Sequence, residues 1–297
     1  MKNNIELYKQ LFENKKFEEI IRRIEILEKE KSPQILHLLG ICKLLKNNST
    51  KEDRISAREN FRRVFIEDQN SKRGIEALTN FINLNTDFYE IKNSLEYYSN
   101  VNENYSADLK LLKAISRVYQ FSNNIKERIK ILEKILKVDS SSIDDWCSYI
   151  YINNFNRSWS QEKFYKISKE FSKKIKSIDQ KNLELNLTNK NRRIKLGFFT
   201  SDLSRFHSIS YFLRGLLKNL NKNKFEIIVI SNALKDENFS NTKMIVDNWY
   251  NIREFNDLNA IRFLREKKLD IIFDLMGFTS DNRISLFKSK IAPIQIS

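Results

Sequence analysis

His207 is one of two histidines in the chain, and the residues around it are those a reaction would use. It follows Ser201, Asp202, Ser204 and Arg205 and precedes Ser208 and Ser210, in a polar turn between an apolar run ending at Thr200 and an amphipathic period starting at Ile209. An imidazole changes charge near neutral pH, so at a helix start it can take a proton or donate to an anionic oxygen. A capping or loop-tethering histidine is the plainer alternative. A second polar stretch, Gly277, Phe278, Thr279, Ser280, Asp281, Asn282 and Arg283, follows another apolar run at 271–276. If the two runs are parallel strands, both loops leave the same sheet edge, where helix amino termini and backbone N–H groups converge on ligands. Asp274 within the second run reads either as an orienting carboxylate or as a satisfied structural one.

The elements that would position these loops are short apolar strands at 194–200, 225–231 and 271–276, with a shorter candidate at 249–252. Helical periods lie between them at 209–220, 242–248 and 258–267. Nearly continuous apolar strands alternating with helices predict a parallel sheet covered on both faces, a Rossmann-like half. Only Gly197, Gly215 and Gly277 occur in this region, so the glycine fingerprint of a dinucleotide dehydrogenase is absent.

Residues 1–140 are different. Glycine occurs there only at 40 and 74 and proline only at 33, and apolar residues recur at helical spacing almost throughout. Segments anchored on Ile20, Ala57, Ile91 and Arg128 recur at steps near the 34-residue tetratricopeptide period. Stacked helix pairs of this kind leave a concave groove suited to an extended peptide. Residues 141–190 form a connection. It comprises a helix over 143–153, a second helix capped by Ser160 with Glu162 in its first turn, and a basic linker from 173 to 193. His37 reads as a helical packing residue.

The chain has 297 residues and a formal charge of +15, from 53 Lys and Arg against 38 Asp and Glu. The cations are spread along the chain without aromatic interleaving, so nucleic acid is not expected as a partner. No apolar run nears the roughly 20 residues of a membrane span, and the first residues carry no signal-peptide pattern, so a soluble, cytoplasmic protein with no membrane partner is expected. Cys42 and Cys147 lie far apart in apolar settings, which predicts core thiols and no metal site.

Four stretches resemble glycosyltransferase family 41, the protein O-GlcNAc transferases and their bacterial and plant relatives. Residues 194–202 with His207, Ser208, Ile209, Ser210, Tyr211 and Phe212 resemble the family's opening strand and its Ser-x-Asp-Phe-x-x-His-Ser-Val-x-Tyr-Phe loop. Residues 270–279 resemble its Asp-Ile-Leu-Val-Asp-Leu-x-Gly-His-Thr. Asn282, Arg283 and Phe287, followed by Ala292, Pro293, Ile294 and Gln295, are similar to the run leading into its Trp-Leu-Gly-Tyr-Pro-Gly turn. Trp159, Ser160, Gln161 and Glu162 resemble the helix that joins its repeats to the enzyme. The resemblance implies tetratricopeptide repeats over 1–140, connecting helices over 141–190, and the first Rossmann-like half of a GT-B catalytic region over 191–297. It implies transfer of a sugar from a UDP donor to a Ser or Thr hydroxyl, with inversion and without a metal or other cofactor. His207 would be the catalytic residue, and Ser201, Asp202, Ser208, Gly277 and Thr279 would contact substrate. A protein or peptide acceptor would lie in the repeat groove. Two departures stand out: the loop before His207 is one residue longer than in the family, and Phe278 replaces a histidine common in bacterial relatives. The family's UDP-gripping residues belong to a second half that follows the matched stretches. The chain therefore reads as the amino-terminal portion of an enzyme, inactive alone and competent when a complementary half is supplied. The alternative is a non-catalytic, peptide-binding repeat scaffold.

Overall fold

Helix caps and hairpin turns set the architecture of the first half of the chain. The computed structural model describes residues 2–27, 31–178, 183–184, 192–203, 207–234 and 240–297. Much of the expected basic linker, and Ser204, Arg205 and Phe206 of the first polar loop, lie outside the described residues. The chain divides into two compact units, Met1–Asp145 and Trp146–Ser297.

The first unit is four helix hairpins: α1 (Lys2–Glu13) with α2 (Phe17–Leu27), α3 (Pro33–Leu45) with α4 (Lys51–Glu67), α5 (Lys72–Asp87) with α6 (Ile91–Ser99), and α7 (Leu109–Phe121) with α8 (Ile125–Val138). Starts are fixed by side-chain caps. Ser32 accepts from Ile35 N, Ser71 from Gly74 N and Asp108 from Leu111 N, while Thr50 and Asp53 form a reciprocal capping box. After each first helix a residue adopts the left-handed conformation, at Lys15, Asn48, Tyr89 and Asn123, which ends the helix and turns the chain back. Buried residues of the second helices, Ile20, Ala57, Ser94 and Ile131, step evenly by 37 residues. Ile91 and Arg128, the anchors suggested by sequence similarity, therefore sit one turn ahead of the buried positions. A side-chain carbon added at Gly40 would come within 2.7 Å of the Phe61 ring, so α3 and α4 approach closely there. His37 on α3 packs edge-on against that ring, and Cys42 is fully buried, its thiol pushed up to about 12 by desolvation.

The second unit begins within α9 (Ile143–Asn153) and continues with α10 (Gln161–Lys174), whose Ser160 cap accepts from Lys163 N as expected. Its sheet has five parallel strands: β1 (Ile194–Thr200), β2 (Phe225–Ser231), β3 (Asn248–Asn251), β4 (Ile271–Asp274) and β5 (Ile294–Ile296), in the order β3-β2-β1-β4-β5. The connecting helices are α11 (Ser208–Asn219), α12 (Ser240–Lys243), α13 (Asp257–Glu266) and α14 (Ile284–Lys288). Alternate strand residues face opposite layers, as the pleat requires. Phe199, Ile228, Ile230 and Ile272 pack with Ile261, Leu264 and Leu286 from α13 and α14, while Leu196, Phe198, Ile227 and Val229 pack with Leu213 and Leu217 from α11.

Two local expectations change. The helix anticipated at 242–248 is only the turn Ser240–Lys243, because 248–251 pairs with β2 as β3. The strand anticipated to 276 stops at Asp274, whose Oδ1 accepts from Met276 N at 2.9 Å and Gly277 N at 3.2 Å and so curls the chain out of the sheet. Asp274 is thereby a turn-forming carboxylate.

Carboxylates clamp the opposite, amino-terminal ends of the strands. Asp270, 5% exposed, accepts both Arg192 Nη atoms at 2.6 Å and Lys195 N at 2.8 Å. Asp247 accepts Ile227 N at 2.8 Å and Arg193 Nη1 at 2.7 Å.

Candidate active site

The strand order reverses direction between β1 and β4. Connections from β1 run outward to β2 and β3, and the chain then returns to the other side of β1. In an open α/β sheet this switch point opens a crevice beyond the carboxyl ends of the two strands. The loop after β1 carries Ser201, Asp202 and His207, and the loop after β4 carries Gly277 and Thr279, so the fold brings the sequence-selected residues to one edge.

The two loops are joined directly. Leu275 N donates to Phe199 O at 3.0 Å, and the Met276 sulfur accepts from Ser201 N at 3.1 Å and Thr200 Oγ1 at 3.6 Å. Ser201 Oγ donates to Asp281 O at 3.3 Å. The end of β2 takes part as well: Asn232 Nδ2 donates to Asp281 O at 2.9 Å, and Arg253 Nη1 bridges Asn232 O and Asp281 Oδ1 at 3.2 and 2.7 Å. Met276, Asn232 and Arg253 were not among the residues picked from the sequence. The available signal was positional, because Met276 ends one apolar run and Asn232 directly follows another.

His207 is the N-cap residue of α11, with φ −95° and ψ 139°, but its side chain makes no capping bond. The imidazole is instead 42% exposed, with Nε2 3.7 Å from Asp202 Oδ2. That is too long for a hydrogen bond and short enough for charge pairing once the ring is protonated. Among the described residues its Nδ1 is shielded from solvent and has no hydrogen-bond partner, and the same holds for Ser210 Oγ on α11 and Asn232 Oδ1 after β2. Unsatisfied buried polar atoms are uncommon in folded proteins. Burial pushes the Asp202 carboxyl above its ordinary range, the Asp281 charge adds to that, and His207 opposes it.

The remaining residues divide by what their polar atoms already do. Ser208, the exposed first residue of α11, has a hydroxyl without a hydrogen-bond partner among the described residues, at the positive end of the helix. Thr279 donates its hydroxyl to Met276 O at 2.7 Å, so only its lone pairs remain available. Gly277 has φ +52° with open space where a side chain would be, so glycine there meets a backbone requirement and leaves the crevice clear. Phe278 packs on Phe171 of α10 with centroids 6.0 Å apart, and Phe171 stacks on Trp146. A polar ring at 278 would have lost that apolar contact. Among the described residues, no group of three His, Cys, Asp or Glu side chains is arranged to hold a metal ion.

Chemically, this edge offers an imidazole with a neighbouring carboxylate, a free hydroxyl at a helix amino terminus and an open glycine turn. Such a set can remove a proton from a hydroxyl and steady a polar substrate.

No protein-family model matches the chain. It is 24% identical over 177 residues to a rice protein named probable UDP-N-acetylglucosamine–peptide N-acetylglucosaminyltransferase SPINDLY, a match covering 57% of this chain and 19% of that protein. The protein of the same name from Arabidopsis thaliana is 27% identical over 119 residues, covering 38% and 13%. The chain thus spans about a fifth of the length of the curated relatives it matches. Its fold is similar to that of an O-GlcNAc transferase point mutant from Thermobaculum terrenum, with a TM-score of 0.66 at 15% identity, covering 89% of this chain and 49% of that one. In sequence over the matched span and in fold over most of its length, the chain resembles the protein O-GlcNAc transferases of glycosyltransferase family 41.

Proposed function

We propose that this chain supplies the repeats and the first catalytic wall of a protein O-linked glycosyltransferase. The sugar, N-acetylglucosamine by analogy with the relatives' names, moves from UDP to a Ser or Thr hydroxyl. The observation that carries the reading is the pairing of His207 and Asp202 at the β1–β4 switch point, on the edge that also bears Gly277 and Thr279. In the proposed step the acceptor oxygen attacks the anomeric carbon as the bond to the diphosphate breaks, UDP leaves with the electron pair, and an imidazole nitrogen of His207 takes the hydroxyl proton. The Asp202 carboxylate stands 3.7 Å from the imidazole Nε2.

The leaving diphosphate needs fixed cationic donors. We assign these to a second α/β half, like the one the family's members carry, acting together with this wall. The acceptor polypeptide is assigned to the repeat unit. There α1 and α3 line a pocket of about 410 Å³ with Ile5, Tyr8, Phe12, Ile35, Leu38 and Ile41, dimensions and lining suited to an apolar side chain of a bound peptide. No helix among the described residues is long and apolar enough to cross a membrane. The test is transfer of labelled sugar from UDP-N-acetylglucosamine to serine-containing protein by this chain combined with a second α/β half. Product from the combination and none from either part supports the reading. No product with any such half, under conditions where both parts are folded, overturns it.

A further inference from the structure

Within the second unit a pocket of about 500 Å³ opens between the end of α9 and the start of α10, lined by none of the residues described at the strand edge. Its lining is unusual for so basic a chain because no charged side chain takes part. Trp159, Phe164 and Tyr165 provide aromatic surface, and the rest are amides and hydroxyls: Asn153, Asn154, Asn156, Gln161, Ser160 and Ser168.

The polar groups split into a frame and a set left open. Asn153 Nδ2 donates to Tyr149 O and Asn153 Oδ1 accepts from Asn156 Nδ2, both at 2.8 Å, while Asn156 Oδ1 accepts from Ser158 N and Oγ. These bonds fix the 153–158 turn. By contrast, Ser168 Oγ is shielded from solvent without a hydrogen-bond partner, the Gln161 amide has none among the described residues, and Asn154 uses its Nδ2 on Ile150 O and Tyr151 O, leaving Oδ1 open. Ser160 Oγ accepts from Lys163 N as the helix cap and keeps its proton to donate. Trp159 is held edge-on by Tyr149 and Phe164 at 5.6 and 6.0 Å, whereas Tyr165 is 65% exposed.

A ligand matched to this lining is uncharged, has apolar faces to lie on aromatic rings, and bears several hydroxyl or amide groups around its rim. We propose that the pocket binds a neutral pyranose saccharide, with ring C–H faces on Trp159 and Tyr165 and rim groups bonded to Gln161, Asn154 and Ser160. Lys163 and Lys169 lie 5.0 and 5.6 Å from the Trp159 and Tyr165 rings. Both are exposed and outside the lining, and binding in this mode displaces their ammonium groups from the ring faces.

The test is saturation-transfer NMR on the full chain with the N-acetylglucosamine disaccharide as probe, with affinity from calorimetry. The prediction is transfer to the sugar ring protons, and a dissociation constant raised about fivefold or more by Tyr165→Ala and by Gln161→Ala, as expected when one aromatic face or one rim contact is removed. Both residues are exposed, so their thermal unfolding should match wild type and binding loss reports on the pocket alone. A peptide carrying the same sugar, compared with the free disaccharide, distinguishes a glycan on protein from a free saccharide, and binding of either supports the inference. Absence of transfer at millimolar probe, equal affinity in both variants, or equal competition by the unglycosylated peptide overturns it.

Discussion

The two ends of one sheet use the same side chains to opposite effect. At the amino-terminal ends of the strands, Asp270 and Asp247 begin with the cost of burial and end below the ordinary carboxylate range. Arginine guanidinium groups and backbone N–H groups outweigh the desolvation. At the carboxyl-terminal ends, Asp202 is pushed upward by burial, and the one opposing charge comes from His207 at 3.7 Å. The first arrangement stabilises the fold by satisfying every acceptor. The second leaves an imidazole nitrogen, a serine hydroxyl and an amide oxygen without partners among the described residues, which costs stability.

The clamped end of the sheet depends most on Asp270. Asp270→Ala removes the acceptor of two Arg192 bonds and of the Lys195 N–H, and should cost about 2 kcal/mol in urea unfolding, the scale for leaving a shielded backbone donor without its partner. The sign with pH follows from the lowered carboxyl: its contribution is present above the ordinary carboxylate pKa and disappears as pH drops through the lower folded value. Wild-type stability should therefore decline on acidification, and Asp270→Ala should flatten that limb. Gly277→Ala comes next. A side-chain carbon has room, so the cost is the left-handed backbone alone, about 1 kcal/mol by the same unfolding assay. Asp202→Asn should have the smallest effect on stability. A raised folded pKa means that its favourable contribution is complete below the ordinary carboxylate value and lost as pH rises through the raised one. At neutral pH the variant should equal wild type within about 0.5 kcal/mol or exceed it. A large loss there would erase the contrast between the two ends.

Much of this was legible in the residues. The runs at 194–200 and 225–231 appear as strands with those bounds, because uninterrupted apolar residues ending in polar turns admit few other folds. The parallel β1–β4 pairing, inferred from alternation alone, is what brings His207 to the same edge as Gly277 and Thr279. Less legible were features that depend on distant partners. Nothing local marks Arg192 as the clamp on Asp270, 78 residues away, or Met276 as a sulfur acceptor for Ser201 N. Asp274 reads from the sequence either as an orienting carboxylate or as a satisfied structural one, and the structure decides for the second. Its actual role, capping the turn at Met276 and Gly277, appears only once the strand is seen to stop there. In the repeats, helical spacing was clear but register was not. Ser94 is buried on α6 where an apolar residue would be sought, so the sequence drew the alignment to Ile91 instead.

In the proposed mechanism His207 takes the proton of the acceptor hydroxyl, and the rate of sugar transfer by His207→Ala beside wild type, each combined with a second α/β half, measures that role directly. The account predicts a loss of about 10²-fold or more in kcat with unfolding free energy little changed, the scale of a positioned acid–base group. A variant that transfers sugar at the wild-type rate would contradict it.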